Sequence, residues 1–177
     1  MKSLLHALLV VGVSTGLVVG CSGVAHADGP TQSAAVAVTG DVRKPRSFTI
    51  DELRALPSET KSVTFESDSG SQSHIYVGAT LDDVVSVADP IVDVSAKNPT
   101  LSMAIRATGM DGYTVAVAWP EISPGFTATP VLVAYTEDDQ PLDRPRLVVP
   151  GDLKGGRYVS DLVELRVIDL RGEHLAP

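Results

Sequence analysis

The stretch "RLVVPGDLKGGRYVSDLVELRVIDL", residues 146–170, decides how this chain folds. Two runs rich in β-branched residues flank a loop that holds Pro150, Gly151, Lys154, Gly155, Gly156 and Arg157. The runs read as strands and the whole as a hairpin closing a domain. Gly151, Gly155 and Gly156 permit φ > 0, and successive backbone N–H groups in such a loop can form a nest for an anion. Arg157 offers a bidentate fork to a phosphate or sulfate, and Lys154 a point charge. The alternative is an ordinary connection in which Lys154 is solvated and Arg157 pairs with Asp152 or Asp161. Residue types alone favour the ordinary connection.

Upstream, "AVAVTG" alternates weakly and reads as a strand. "SFTIDELRALP" carries a helix start: Thr49 as N-cap, Glu52 completing a capping box, and Phe48 stapled on Leu53 until Pro57 ends the helix. "KSVTFES" and "SHIYVG" alternate around "DSGSQ" as a hairpin. "TLDDVVSVA" repeats the cap logic with Thr80 and an apolar face of Leu81, Val84 and Val85. "LSMAIRATG" and "YTVAVAW" are strands around the turn "GMDG", "TPVLVAYT" is a buried strand, and "EDDQPLDRP" a charged loop. The sum is about eight strands and two short helices. Strands do not alternate with helices, so the fold class is α+β, mainly β.

With 177 residues, 44% hydrophobic and 20% charged, the chain suits one globular domain. Its net charge of −8 argues against a nucleic-acid partner. Lys2 followed by an apolar run over residues 4–20 is an export signal. "VVGC" fits a lipobox with Cys21 as the lipid-attachment residue, and "AHAD" fits ordinary signal cleavage after residue 27. Cys21 is the single cysteine and sits where lipidation needs it, which favours the lipobox. The expected organisation is a signal peptide over 1–20 (or to 27), a polar tether over 21–34, a domain over 35–170 and a loose tail over 171–177. The mature protein is then extracytoplasmic, in the cell envelope through a lipid anchor or secreted, and without a disulfide.

No metal site and no catalytic residue emerge from the residue pattern. His26, His74 and His174 are not at ligand spacing and no cysteine pair exists. His74 reads as a partly exposed sheet residue, "DSGS" as a turn, and Glu137–Asp138–Asp139 as a solvated loop without calcium-site spacing. Tyr113 and Trp119 are candidate docking anchors for a partner, though strand aromatics more often belong to a core.

Taken in order, "TGDVRKPRSFTIDELRALP", "YVGATLDDVV", "ATGMDGYTVAVAWPEI", "PVLVAYTEDDQPL" and "RLVVPGDLKGGRYVSDLVELRV" resemble the oxidoreductase molybdopterin-binding domain, the sulfite-oxidase-type fold, over roughly residues 35–169. The resemblance implies a mixed β fold that holds a pterin across loops. Pro150, Gly151, Gly155, Gly156 and Arg157 match the family loop near the cofactor's pyrophosphate, with Lys154 beside them. The resemblance also implies a cysteine thiolate on molybdenum after the strand "KSVTFES". This chain has Glu66, Ser67, Asp68 and Ser69 there. Loaded family members generally leave the cytoplasm through a twin-arginine signal, and the first 20 residues contain no arginine. The reading is therefore a non-redox ligand-binding or accessory module with a pocket between the "GMDGY" turn and the Arg157 loop. Its ligand would be a small anionic molecule, with molybdopterin suggested by the resemblance alone. A molybdopterin-dependent oxidoreductase with an atypical metal ligand and a structural envelope interaction protein are the alternatives.

Overall fold

The computed structural model describes residues 34–172. The signal segment, Cys21, both cleavage sites, His26 and His174 lie outside the described residues.

The elements are β1 (Ala35–Gly40), β2 (Arg46–Thr49), α1 (Ile50–Arg54), β3 (Ser58–Ser67), β4 (Gly70–Thr80), α2 (Leu81–Val87), β5 (Met103–Gly109), β6 (Thr114–Ala118), β7 (Leu132–Glu137), β8 (Gln140–Val148) and β9 (Leu162–Asp169). They form a five-stranded sheet, β2-β1-β9-β5-β6, and a four-stranded sheet, β3-β4-β7-β8. Within the sheets only β1 and β9 run parallel. The fold is the mainly β α+β class expected, with nine strands among the described residues rather than about eight.

Local chemistry sets the helix starts. The Thr49 side chain accepts from the Glu52 N–H at 3.3 Å, and the Thr49 N–H donates to the Glu52 carboxylate at 2.8 Å, closing the anticipated capping box. Phe48 and Leu53 are both fully buried in one cluster, as the staple requires. Thr80 caps α2 by accepting from the Asp83 N–H.

Three expectations need correction. Residues 146–170 are not a hairpin: β8 lies on the edge of the four-stranded sheet, while β9 lies between β1 and β5 in the other. β9 finds ladder partners on both sides, Val38 opposite Leu165 and Ile105 opposite Val167, and a return onto β8 would leave both unpaired. Only the bridge between Leu147 and Val159 remains of the supposed pairing. The charged loop "EDDQPLDRP" is largely β8. The chain turns at Asp138 and Asp139, which take φ of 49° and 62°, the pair of positive values a tight hairpin turn needs. Pro141 and Pro145 are tolerated because β8 is an edge strand whose register shifts opposite residues 134–136. Finally, Trp119 is 7% exposed and part of the main core, so it is not a surface anchor; Tyr113 is 49% exposed.

The main core lies between the sheets and the helices, with Val38, Ile105 and Leu165 from one sheet, Val133 and Leu147 from the other, and Leu53 and Val84 from the helices. Each such fully buried aliphatic side chain contributes about 1.5–3 kcal/mol. The four-stranded sheet also has a second buried face, which explains why Leu132, Val133, Ala134 and Tyr135 are buried in succession. Val63, Tyr76, Leu132, Ala134 and Val148 form that face, with Phe65 and Tyr158 packed on it. The segment after β8 thus folds back over this sheet and brings the glycine-rich loop to the end of the β3–β4 hairpin.

Candidate ligand-binding site

The β3–β4 hairpin turns through Asp68 and Ser69, with Ser67 opposite Gly70 and Gly70 at φ 96°. β3 is an edge strand, so its outer N–H groups need partners. The Glu66 N–H donates to the Leu153 carbonyl at 2.9 Å, and Glu66 and Lys154 form a parallel bridge. This pins the glycine-rich loop alongside the hairpin end. Gly155 then lies against Phe65, where an added Cβ would be 2.7 Å from Cε2, so no other residue fits without displacing the ring. The Phe65 and Tyr158 rings pack against each other, tilted by 32°, at a centroid distance of 4.4 Å.

Between residues 65–68 and 154–156 a cavity of about 480 Å³ opens. Its polar lining residues are Glu66, Ser67, Asp68 and Lys154. The Ser67 hydroxyl is engaged locally, donating to the Gly70 carbonyl at 3.0 Å and accepting from the Ser69 N–H at 3.2 Å. Lys154 is exposed and has no ion-pair partner among the described residues. The lining is electrostatically mixed, with two acidic residues and one basic one, and its backbone is open at Gly156, where an added Cβ would meet nothing within 4 Å.

The sequence candidates do not converge in one place. Lys154, Gly155 and Gly156 line this cavity, while Gly151 and Arg157 line another of about 500 Å³ with Glu121, Phe126 and Asp152. Arg157 forms a fork with Asp152, Nε to Oδ2 at 2.8 Å and Nη2 to Oδ1 at 2.7 Å, and its Nη1 donates to Glu121 at 2.7 Å. Asp152 foremost, and Glu121 after it, raise the guanidinium's pKa against the effect of burial. The "GMDGY" turn does meet the C-terminal segment: Met110, Asp111 and Tyr113 share a cavity of about 260 Å³ with residues 158–161. The Tyr113 hydroxyl there donates to the Gly156 carbonyl.

Phe65, Glu121 and Tyr158 are site residues that sequence reasoning missed. Alternation along β3 puts Phe65 on the face of Val63, a usable signal; nothing local marks Glu121 as the partner of Arg157. The Tyr158 hydroxyl is buried without a hydrogen-bond partner among the described residues. Burial, and then the charge of Asp152, pushes its pKa up to about 12.

The family model described as "Oxidoreductase molybdopterin binding domain" matches residues 24–174, most of the chain. The chain belongs to this family. No curated protein matches the sequence. Among solved structures, the chain is similar to the sulfane dehydrogenase SoxCD from Paracoccus pantotrophus, with a TM-score of 0.62 at 19% identity. That likeness covers 77% of this chain but 38% of the other, and it confirms the sulfite-oxidase-type fold.

Family membership makes molybdopterin a plausible ligand, and the cavity permits a test of the metal. Where the family resemblance implies a thiolate, the cavity presents Glu66, Ser67 and Asp68. The chain's one cysteine is Cys21. Hard carboxylate and hydroxyl oxygens are not the soft donor set of a sulfite-oxidase-type centre. These residues therefore do not fit that metal.

Proposed function

We propose that this member of the molybdopterin-binding family is an exported, lipid-anchored, non-redox module that binds a small anionic organic molecule. The observation that carries the reading is the cavity in which Glu66, Ser67 and Asp68 replace a thiolate, beside the Lys154–Gly155–Gly156 backbone. Lys154 attracts the anion, and the open backbone at Gly156 permits close approach of a flat group. The Glu66 and Asp68 carboxylates repel a bare anion such as phosphate, which favours an organic ligand carrying its own donors. Gly151 and Arg157 lie outside this contact surface, in the other cavity, where the Asp152–Arg157–Glu121 clamp fixes the loop's shape. The anchor is Cys21, placed after an apolar export segment.

The test is mass spectrometry of small molecules released from protein purified from its native envelope, alongside the Lys154→Glu variant. A reproducible organic ligand that the wild type carries and the variant lacks is the expected result. A ligand retained equally by both would move binding away from this cavity. A second reading, a molybdopterin-dependent oxidoreductase with an oxygen ligand from Glu66, Ser67 or Asp68, is favoured by the position of these groups in the same cavity. It requires stoichiometric molybdenum.

A further inference from the structure

Behind Phe65, which lines that cavity and stacks on His74 at a centroid distance of 6.1 Å, three metal-ligating side chains meet across the four-stranded sheet. His74 lies on β4, Glu137 is the last residue of β7, and Asp138 opens the β7–β8 turn. The His74 Nδ1 is 2.7 Å from Asp138 Oδ2 and 3.3 Å from Glu137 Oε1. Ligand atoms held tetrahedrally by one zinc ion at about 2.0–2.2 Å are themselves roughly 3.3–3.6 Å apart. The His74–Glu137 separation already matches, and the His74–Asp138 contact is a hydrogen bond that opens by under about 1 Å when the ion enters. We propose that His74, Glu137 and Asp138 form a site for a divalent transition-metal ion, with zinc the best match to one imidazole and two carboxylates.

The surroundings orient both carboxylates. The Ile75 N–H donates to Asp138 Oδ1 at 2.8 Å and the Asp138 N–H returns to the Ile75 carbonyl at 2.8 Å, which fixes the turn on β4. The Tyr76 hydroxyl donates to Glu137 Oε1 at 2.9 Å, and Arg146 Nη1 to Oε2 at 2.7 Å. Such outer partners hold ligand oxygens in place before a metal arrives. Asp138 is half exposed, so solvent can complete the coordination. The metal replaces a proton: an ion bound at Nδ1 needs neutral imidazole, so His74 releases to solvent any proton that it carries there. Arg146 opposes a cation and holds Oε2, so the metal takes the second lone pair of Oε1, beside the Tyr76 hydrogen bond. With three protein ligands and one side open to solvent, the site is not a closed structural one. Magnesium and calcium, which prefer all-oxygen shells, bind it poorly.

Isothermal titration of the purified mature protein with zinc, magnesium and calcium chlorides tests this, with His74→Gln and Asp138→Asn as variants. One zinc per wild-type molecule is expected, with affinity at least about tenfold weaker in each variant. A shift of the His74 imidazole resonances on zinc addition, read by nuclear magnetic resonance, would confirm Nδ1 as the ligand. Absence of zinc binding, or zinc affinity unchanged in His74→Gln, overturns the proposal; the latter assigns the metal to other histidines.

Discussion

At Gly155 the absence of one carbon sets how closely the loop approaches β3. Gly155→Ala puts a Cβ against a Phe65 ring that is itself packed on Tyr158, so neither ring can withdraw freely. We expect a loss of about 1–3 kcal/mol in urea unfolding, the usual cost of overpacking; unchanged stability would contradict the packing described. Tyr158→Phe removes a buried hydroxyl that has no partner, and this should be neutral or stabilising by about 1 kcal/mol. The phenol's pKa is raised from 10.0 to about 12, so the unfolded chain ionises first as pH rises. The group's contribution is therefore present below pH 10 and lost between about 10 and 12. Stability measured across that window should fall less steeply in Tyr158→Phe than in wild type. Arg157→Ala strands the Asp152 and Glu121 carboxylates and should cost about 1–3 kcal/mol, the value of hydrogen bonds to a charged group. Such a loss would accompany any effect on ligand, so stability and binding must be measured together.

Among the elements, the β7–β8 turn has the most exacting backbone. Asp139 takes φ of 62° and makes no side-chain hydrogen bond among the described residues. Asp139→Gly should therefore hold or raise stability, while Asp139→Val should lie about 1–2 kcal/mol below it, since a β-branched residue resists that conformation. Equal stability of the two variants would contradict a turn of this type. The helix starts were legible in the sequence because a cap is a local device: Thr49 with Glu52, and Thr80 before α2, lie within one turn of chain. Strand existence was legible for the same reason, through alternation over a few residues in β3, β4, β5 and β6. Strand partnership was not. Leu162, Leu165 and Val167 show that β9 has an apolar face, but nothing in them says that the face belongs to the sheet of β1 rather than to that of β8. The prolines of "EDDQPLDRP" concealed β8, because Pro141 and Pro145 argue against a strand unless its place on the edge is already known.

For the whole molecule, the family relationship was legible because five segments kept their order along the chain. The candidate cavity was only partly so. Lys154, Gly155 and Gly156 were singled out as loop residues, and Glu66 to Ser69 as the stretch that lacks a thiolate. Their meeting depends on a backbone bridge between Glu66 and the segment after β8, far apart in sequence. His74 and Asp138, 64 residues apart, are joined only by the β4–β7 register, which a spacing rule for histidines cannot see. The proposed lipid anchor has its own test: Cys21→Ala should move the protein from the membrane fraction to the soluble one, whereas unchanged partition would remove the anchor from the account. The central claim is that a family pocket survives here without the sulfur that would hold molybdenum. Its most direct test is elemental and pterin analysis of protein purified from the native envelope. We predict molybdenum far below one atom per chain and no redox-active absorbance; stoichiometric, tightly held molybdenum that cycles between oxidation states would contradict it.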